Sequence, residues 1–130
     1  MNSPRIYHYL VITLSLMGFT SVLAGAFGAH ALKGTLTEAA LGWWQTGTLY
    51  MMFHTLSGLC SLLIIKPVKA LKHPSFFFIA GNVLFSGSLY ALAITNIKTL
   101  GIITPVGGTL YLIGWMLLAA FAYRNIAPRP

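Results

Sequence analysis

Residues Ala39 to Ile65, AALGWWQTGTLYMMFHTLSGLCSLLII, contain no Lys, Arg, Asp or Glu. The run exceeds the roughly 20 residues that cross about 30 Å of hydrocarbon at 1.5 Å per residue. Three more charge-free runs flank it: Ile6 to Leu32, His73 to Ile97, and Thr99 to Tyr123. In hydrocarbon the backbone must satisfy its own hydrogen bonds, so each run is expected to be a helix. The expected fold is all-α: an integral membrane four-helix bundle in a single domain covering 1–130. Its spans are placed at about 8–31, 43–65, 75–96 and 105–123.

Composition agrees. The chain is 57% hydrophobic and 7% charged, whereas a soluble domain carries about 25% charged residues. So few charges cannot coat a water-soluble surface of this size. The net charge of +7 raises nucleic acid as a partner. The basic residues, however, flank the apolar runs instead of clustering on one element, which is the pattern of membrane orientation and anionic headgroup contact. Membrane lipids are the expected partners, with a homo-oligomer or another membrane protein as further options and no nucleic acid. Cys60 stands alone in an apolar run, so no internal disulfide is available.

Arg5, Lys66, Lys69, Lys72, Arg124 and Arg129 fall on one side of a four-span topology; Lys33 and Lys98, with Glu38, fall on the other. The positive-inside rule then places both termini in the cytoplasm. Tyr7, Tyr9, Trp43, Trp44, Phe76, Phe77, Phe78 and Tyr123 lie near span ends, as interfacial belts do. The first run has the basic start of a signal peptide and small residues at Ala24-Gly25-Ala26, but it is long for one. It is read as a span.

The connections are short. Lys33-Gly34 is expected to end span one. Thr35-Leu36-Thr37-Glu38 has capping-box spacing and suggests a short interfacial helix from near Leu36, ahead of span two. Lys66-Pro67 is read as the end of span two. Thr104-Pro105 reads as the N-cap and first helical position of span four, leaving Asn96 to Ile103 as an apolar connection. The alternative is a helix from near Thr99 that kinks at Pro105 and Gly107-Gly108.

Each span has a distinct face. Span one carries Gly18, Ser21, Gly25 and Gly28 at helical steps, a stripe of small residues that permits close packing in lipid. Span two carries Trp43, Gly47, Tyr50, His54, Ser57 and Ser61. Span three carries Asn82, Ser86, Ala93 and Asn96, with Gly87 favouring close approach. Span four contributes Gly107, Gly108, Tyr111 and Gly114. These faces are expected to turn inward.

The candidate polar site comprises His30, Glu38, Gln45, Tyr50, His54, Asn82, Ser86 and Ser88. Ionisable residues in a span are functional candidates, and histidine titrates near neutrality and binds metals. Against this, a neutral histidine bonded to a carbonyl or hydroxyl is the simpler role for His54. Spaced metal ligands are missing too, so neither a metal site nor a cofactor is expected. Tyr50 and His54, four apart, meet on one helical face. No Gly-x-Ser-x-Gly elbow, Walker loop or His-Glu-x-x-His occurs, and no catalytic residue is assigned.

Four ordered strings carry a family resemblance: Gly25-Ala26-Phe27-Gly28-Ala29-His30-Ala31-Leu32; Trp44-Gln45-Thr46-Gly47 with Tyr50 and Phe53-His54-Thr55-Leu56; Leu84-Phe85-Ser86-Gly87-Ser88-Leu89-Tyr90; and Thr104-Pro105-Val106-Gly107-Gly108. From about Leu14 to Tyr123 the chain resembles the small bacterial inner-membrane proteins of domain of unknown function family 423. The resemblance implies four helices in the inner membrane and no established activity. The leading functional expectation is a non-enzymatic bundle that binds a lipid, an apolar ligand or a membrane-protein partner. The alternatives are a small oligomeric transporter or channel using the polar stripe of span two, and a haem or metal protein ligated by His30 and His54.

Overall fold

The computed structural model describes residues 3–65 and 72–126. Its helices are α1 (Ser3–Ala29), α2 (Glu38–Ile64), α3 (Pro74–Gly81), a π-helical turn (Asn82–Ser86), α4 (Gly87–Thr95), a 3-10 helix (Lys98–Ile102) and α5 (Thr104–Ile126). The segment α3–π–α4 is continuous, so four helical rods are long and apolar enough to cross a membrane. Lys66-Pro67, Lys69 and Arg129 lie outside the described residues.

The connection after α1 turns at Gly34, whose φ of +88° suits glycine. No separate interfacial helix follows it. Thr37 caps α2 directly, its hydroxyl oxygen accepting from the Ala40 N–H at 3.2 Å. Thr35 instead donates its hydroxyl back to the Ala31 carbonyl at 3.1 Å. Ala39, Ala40 and Leu41 are strong helix formers, and nothing between Glu38 and Trp43 breaks the rod. At 27 residues, α2 is about 40 Å long, more than the hydrocarbon needs, so its first turns extend toward the interface.

The third rod starts at Pro74, capped by His73, and ends where Asn96 adopts a left-handed φ of 56°. Asn96 was expected on an inward polar face; it is exposed and terminates the helix. In the π turn, Gly87 N–H bonds back to the Asn82 carbonyl, a wider ring than an α-helix makes. Ser86 and Ala93 of the expected stripe are buried on both sides of that turn, so the stripe fails only at Asn96, where the left-handed residue ends the helix. At the start of α5, Ile103 supplies the carbonyl that receives the Val106 and Gly107 N–H groups. Thr104, expected as the N-cap, uses its hydroxyl elsewhere.

α2 and the third rod form the centre and are more deeply buried than α1 and α5. α1 packs on α2, and α5 packs on α3 and the π turn. Leu10, Leu14 and Leu62 make a small apolar cluster between α1 and α2. Leu16, Phe19, Leu63, Ile94, Leu112 and Met116 are exposed, as lipid-facing side chains are. Cys60 is also on the outside. Phe78, expected in an interfacial belt, is fully buried and packs beneath Gly114.

The small stripe of α1 faces α2. A Cβ on Gly18 or Gly25 would meet Thr55 or Thr48 at 3.7 Å, and one on Gly28 would come within 2.8 Å of Trp44. Ser21 is buried beside them. Gly107 is tighter still, because a Cβ there would collide with the backbone of Phe85. Gly108 makes only ordinary contact with the Phe85 ring. Gly87 does not pack closely: nothing lies within 4 Å of where its Cβ would be.

The two glycines should respond oppositely to alanine. Gly107→Ala should lower stability by about 1–3 kcal/mol through overpacking. Gly87→Ala should raise it by about 0.5–1 kcal/mol through helix propensity. Unfolding curves of both variants in the same detergent check this; a loss in both would place Gly87 in a packed interface.

Candidate functional site: a sealed polar seam and an open histidine

Asn82 begins the π turn and is fully buried. Its Nδ2 donates to Thr55 Oγ1 on α2 at 3.0 Å and approaches Met17 Sδ on α1 at 3.4 Å. Its Oδ1 accepts from the Tyr111 hydroxyl on α5 at 2.8 Å. One side chain therefore reaches all three other spans.

Further cross-links continue the seam. Ser86 donates to the Gly47 carbonyl at 2.7 Å, tying the π turn to α2. Thr48 gives its proton to the Trp44 carbonyl at 3.0 Å, so the Tyr90 hydroxyl, 2.9 Å away, must be the donor to Thr48. Ser88 likewise gives its proton to the Phe85 carbonyl, and the Thr104 hydroxyl donates to Ser88 at 2.7 Å. Trp44 Nε1 donates to the Ala24 carbonyl of α1 at 2.7 Å. Among the described residues, every fully enclosed side-chain nitrogen or oxygen has a partner.

His54 lies beside the seam and is 5% exposed. Its Nδ1 is 2.8 Å from the Tyr50 carbonyl oxygen. Its ring lies flat on Tyr111, centroids 3.5 Å apart and planes 7° from parallel. Tyr50, Phe53, Phe78 and Trp115 complete an aromatic surround. A cleft of about 400 Å³, lined by Leu49, Tyr50, Phe53 and His54, opens beside the ring. Leu49, Tyr50 and Phe53 are all exposed, so the cleft opens toward lipid.

The structure divides the residues singled out from sequence. Tyr50 and His54 line the cleft, and Asn82, Ser86 and Ser88 lie in the seam. His30, Glu38 and Gln45 are exposed and join neither group. His30 and Glu38 flank the α1–α2 connection at one end of the bundle. His54 lies roughly 24 Å farther along α2 from Glu38 at 1.5 Å per residue. No three His, Cys, Asp or Glu side chains gather among the described residues. Thr48, Thr55, Tyr90 and Met17 are the seam partners not singled out. Trp44, Thr48, Met51 and Thr55 step by four, three and four, a second stripe beside the one through His54, which was the available signal.

His73, at the start of the third charge-free run, also proves to be a structural residue. It is 2% exposed. Its Nε2 donates to the Ile65 carbonyl at 2.9 Å, and its Nδ1 accepts from the Ser75 N–H at 3.2 Å, with the Ser75 hydroxyl at 2.6 Å. It caps α3 and ties it to the end of α2. Burial lowers its pKa below the usual histidine value, while the Ile65 carbonyl opposes that shift in part.

Four apolar rods fastened by a sealed polar seam define a polytopic α-helical membrane protein. The chain belongs to the family described as "Protein of unknown function (DUF423)", which matches residues 24–108. It is 41% identical over 118 residues to the UPF0382 inner membrane protein YgdD of Escherichia coli (strain K12), covering 89% of this chain and 90% of that one. It is 42% identical over 118 residues to a UPF0382 membrane protein of Haemophilus influenzae, covering 90% and 94%. It is 39% identical over 119 residues to the UPF0382 membrane protein SAB0533 of Staphylococcus aureus, covering 88% and 94%. No solved structure matches. The chain is a bacterial inner-membrane protein.

Two measurements probe this geometry. A double-mutant cycle of Asn82→Leu and Tyr111→Phe should show coupling of about 0.6–1.7 kcal/mol, the range for interhelical hydrogen bonds in membranes; additive losses would mean the bond contributes nothing. His73 favours its neutral form when folded, so its stabilisation is complete above the unfolded pKa near 6.5 and is lost as pH falls from there through the lower folded pKa. Wild type should therefore lose stability as pH falls below about 6.5, with a slope for this one group of at most about 1.4 kcal/mol per pH unit. His73→Ala should be less stable at neutral pH and flatter across the same range. Parallel curves would exclude His73 as the titrating group.

Proposed function

We propose that this protein is a non-catalytic inner-membrane bundle that binds a lipid-like ligand in the cleft beside His54. The observation that carries the reading is the cleft itself: about 400 Å³, lined by Leu49, Tyr50 and Phe53, with one polar ring at its wall. Small-molecule sites have this character, mostly apolar with a few placed polar groups. The seam supports a binding role over a polar path for ions, because its hydroxyls and amides pair with one another. A membrane-protein partner or a second copy would find the lightly buried rods α1 and α5 available. We also propose that both termini are cytoplasmic. Lys72 and Arg124 line the same groove between the third rod and α5, so these two basic residues share one end of the bundle, as the positive-inside rule asks.

Protein purified in mild detergent should retain a lipid-soluble compound identifiable by extraction and mass spectrometry, and His54→Phe should change its amount. A ligand-free bundle unaffected by the substitution would refute the binding reading, and proton or ion flux above that of empty vesicles would favour transport. A fluorescent protein fused to the C-terminus should fluoresce, and alkaline phosphatase fused there should be inactive.

A further inference from the structure

We infer that the occupant of the His54 cleft is a neutral lipophilic hydroxyl compound that donates a hydrogen bond to His54 Nε2. This rests on the cleft being the binding site and names the chemistry of what it takes.

The argument starts from Tyr50. Its carbonyl can only accept, so Nδ1 of His54, 2.8 Å away, carries the proton. A charged ring at this depth would be costly, and a neutral ring has one N–H. Nε2 is therefore a bare acceptor. Among the described residues it has no hydrogen-bond partner, while every fully enclosed polar side-chain atom there does have one. Nε2 therefore keeps some exposed surface, and His54 is a wall of the cleft.

Depth sharpens the requirement. His54 lies roughly 24 Å along α2 from Glu38 and roughly 15 Å from Ile64, in the middle of the hydrocarbon. Water is scarce there, and an acceptor left alone is costly. The donor must come with the ligand. A ketone or quinone carbonyl would set one lone pair against another. A phosphate headgroup would find no cation among Leu49, Tyr50 and Phe53. An ammonium would find no acid, since Glu38 is the chain's only carboxylate side chain and lies at the far end of α2. A phenol, hydroquinone or long-chain alcohol satisfies every condition, and the Tyr50 and Phe53 rings offer flat walls to an aromatic head.

The test uses 4-nonylphenol and 4-nonylanisole, which differ by one methyl on the oxygen. Wild-type protein in lipid nanodiscs is titrated with each, following tryptophan fluorescence; Trp115 lies 5.8 Å from Phe53 and 6.3 Å from His54 between ring centroids. The phenol should bind about 3–10-fold tighter, the value of one net hydrogen bond. In His54→Phe the two probes should bind alike. Nitrogen-15 spectra of histidine-labelled wild type should show Nε2 unprotonated and shifted by the phenol but not by the ether, a readout that needs no variant to fold. Equal binding of both probes to wild type, or a protonated Nε2, would overturn this inference and leave the cleft as a binding site. If neither probe binds, both the inference and the cleft reading fail.

Discussion

The amide of Asn82 sets most of the surrounding geometry. In hydrocarbon no water can replace a missing partner, so Nδ2 and Oδ1 must be met by other helices. Thr55 and Tyr111 meet them, and each fixes the height and rotation of its own rod. Gly81 makes the second bond possible, because a Cβ there would occupy the space of the Tyr111 ring. With Tyr111 lying over Gly81, its hydroxyl reaches Asn82 and its face meets the His54 ring. The position of His54 thus depends on a glycine and an asparagine in another helix. The π turn lies at the same place: it opens the Asn82 carbonyl to Gly87 N–H and turns Ser86 toward the Gly47 carbonyl.

The seam has a consequence for chemistry. Donors meet acceptors along its length, from Tyr90–Thr48 through Ser86–Gly47 to Asn82. A network of this kind resists opening, because a buried group that loses its partner in hydrocarbon finds no water to replace it. Such a network holds helices in register and offers little to a passing ion. The bonds are also compatible with close packing: α5 can approach so nearly because Gly107 faces the Phe85 backbone.

Much of this was legible in the sequence, and the misses have physical causes. Charge-free runs above spanning length can only be helices in hydrocarbon, so the four rods were readable from residue types alone. The small stripe of α1 was readable because Gly18, Gly25 and Gly28 are adjacent in a regular helix. Periodicity held through Ser86 and Ala93, which are buried, and failed at Asn96, where the left-handed residue ends the helix, while Gly87 makes no close contact. Capping failed where two hydroxyls competed. Thr35 and Thr37 are both good caps by type, and only the path of the chain decides that Thr35 bonds back to Ala31. Thr104 had a local role available and took a distant one, because Ser88 on the third rod offered an acceptor. Glu38 and His30 are rare ionisable groups, yet chain position puts both at one end of the bundle, exposed.

The two buried histidines show why rarity alone does not mark a site. His73 has both ring nitrogens engaged, one by the Ile65 carbonyl and one by Ser75. It can accept nothing more without breaking a helix cap, so its chemistry is structural. His54 is just as deeply buried, but the Tyr50 carbonyl engages only Nδ1. The aromatic rings around it hold the imidazole in place without using the second nitrogen. Burial with full satisfaction makes a fastener. Burial with one unused acceptor, beside an open apolar cleft, leaves a place for a ligand to finish the hydrogen bonding. That difference, and not the presence of histidine in a span, is what supports the proposed site at His54.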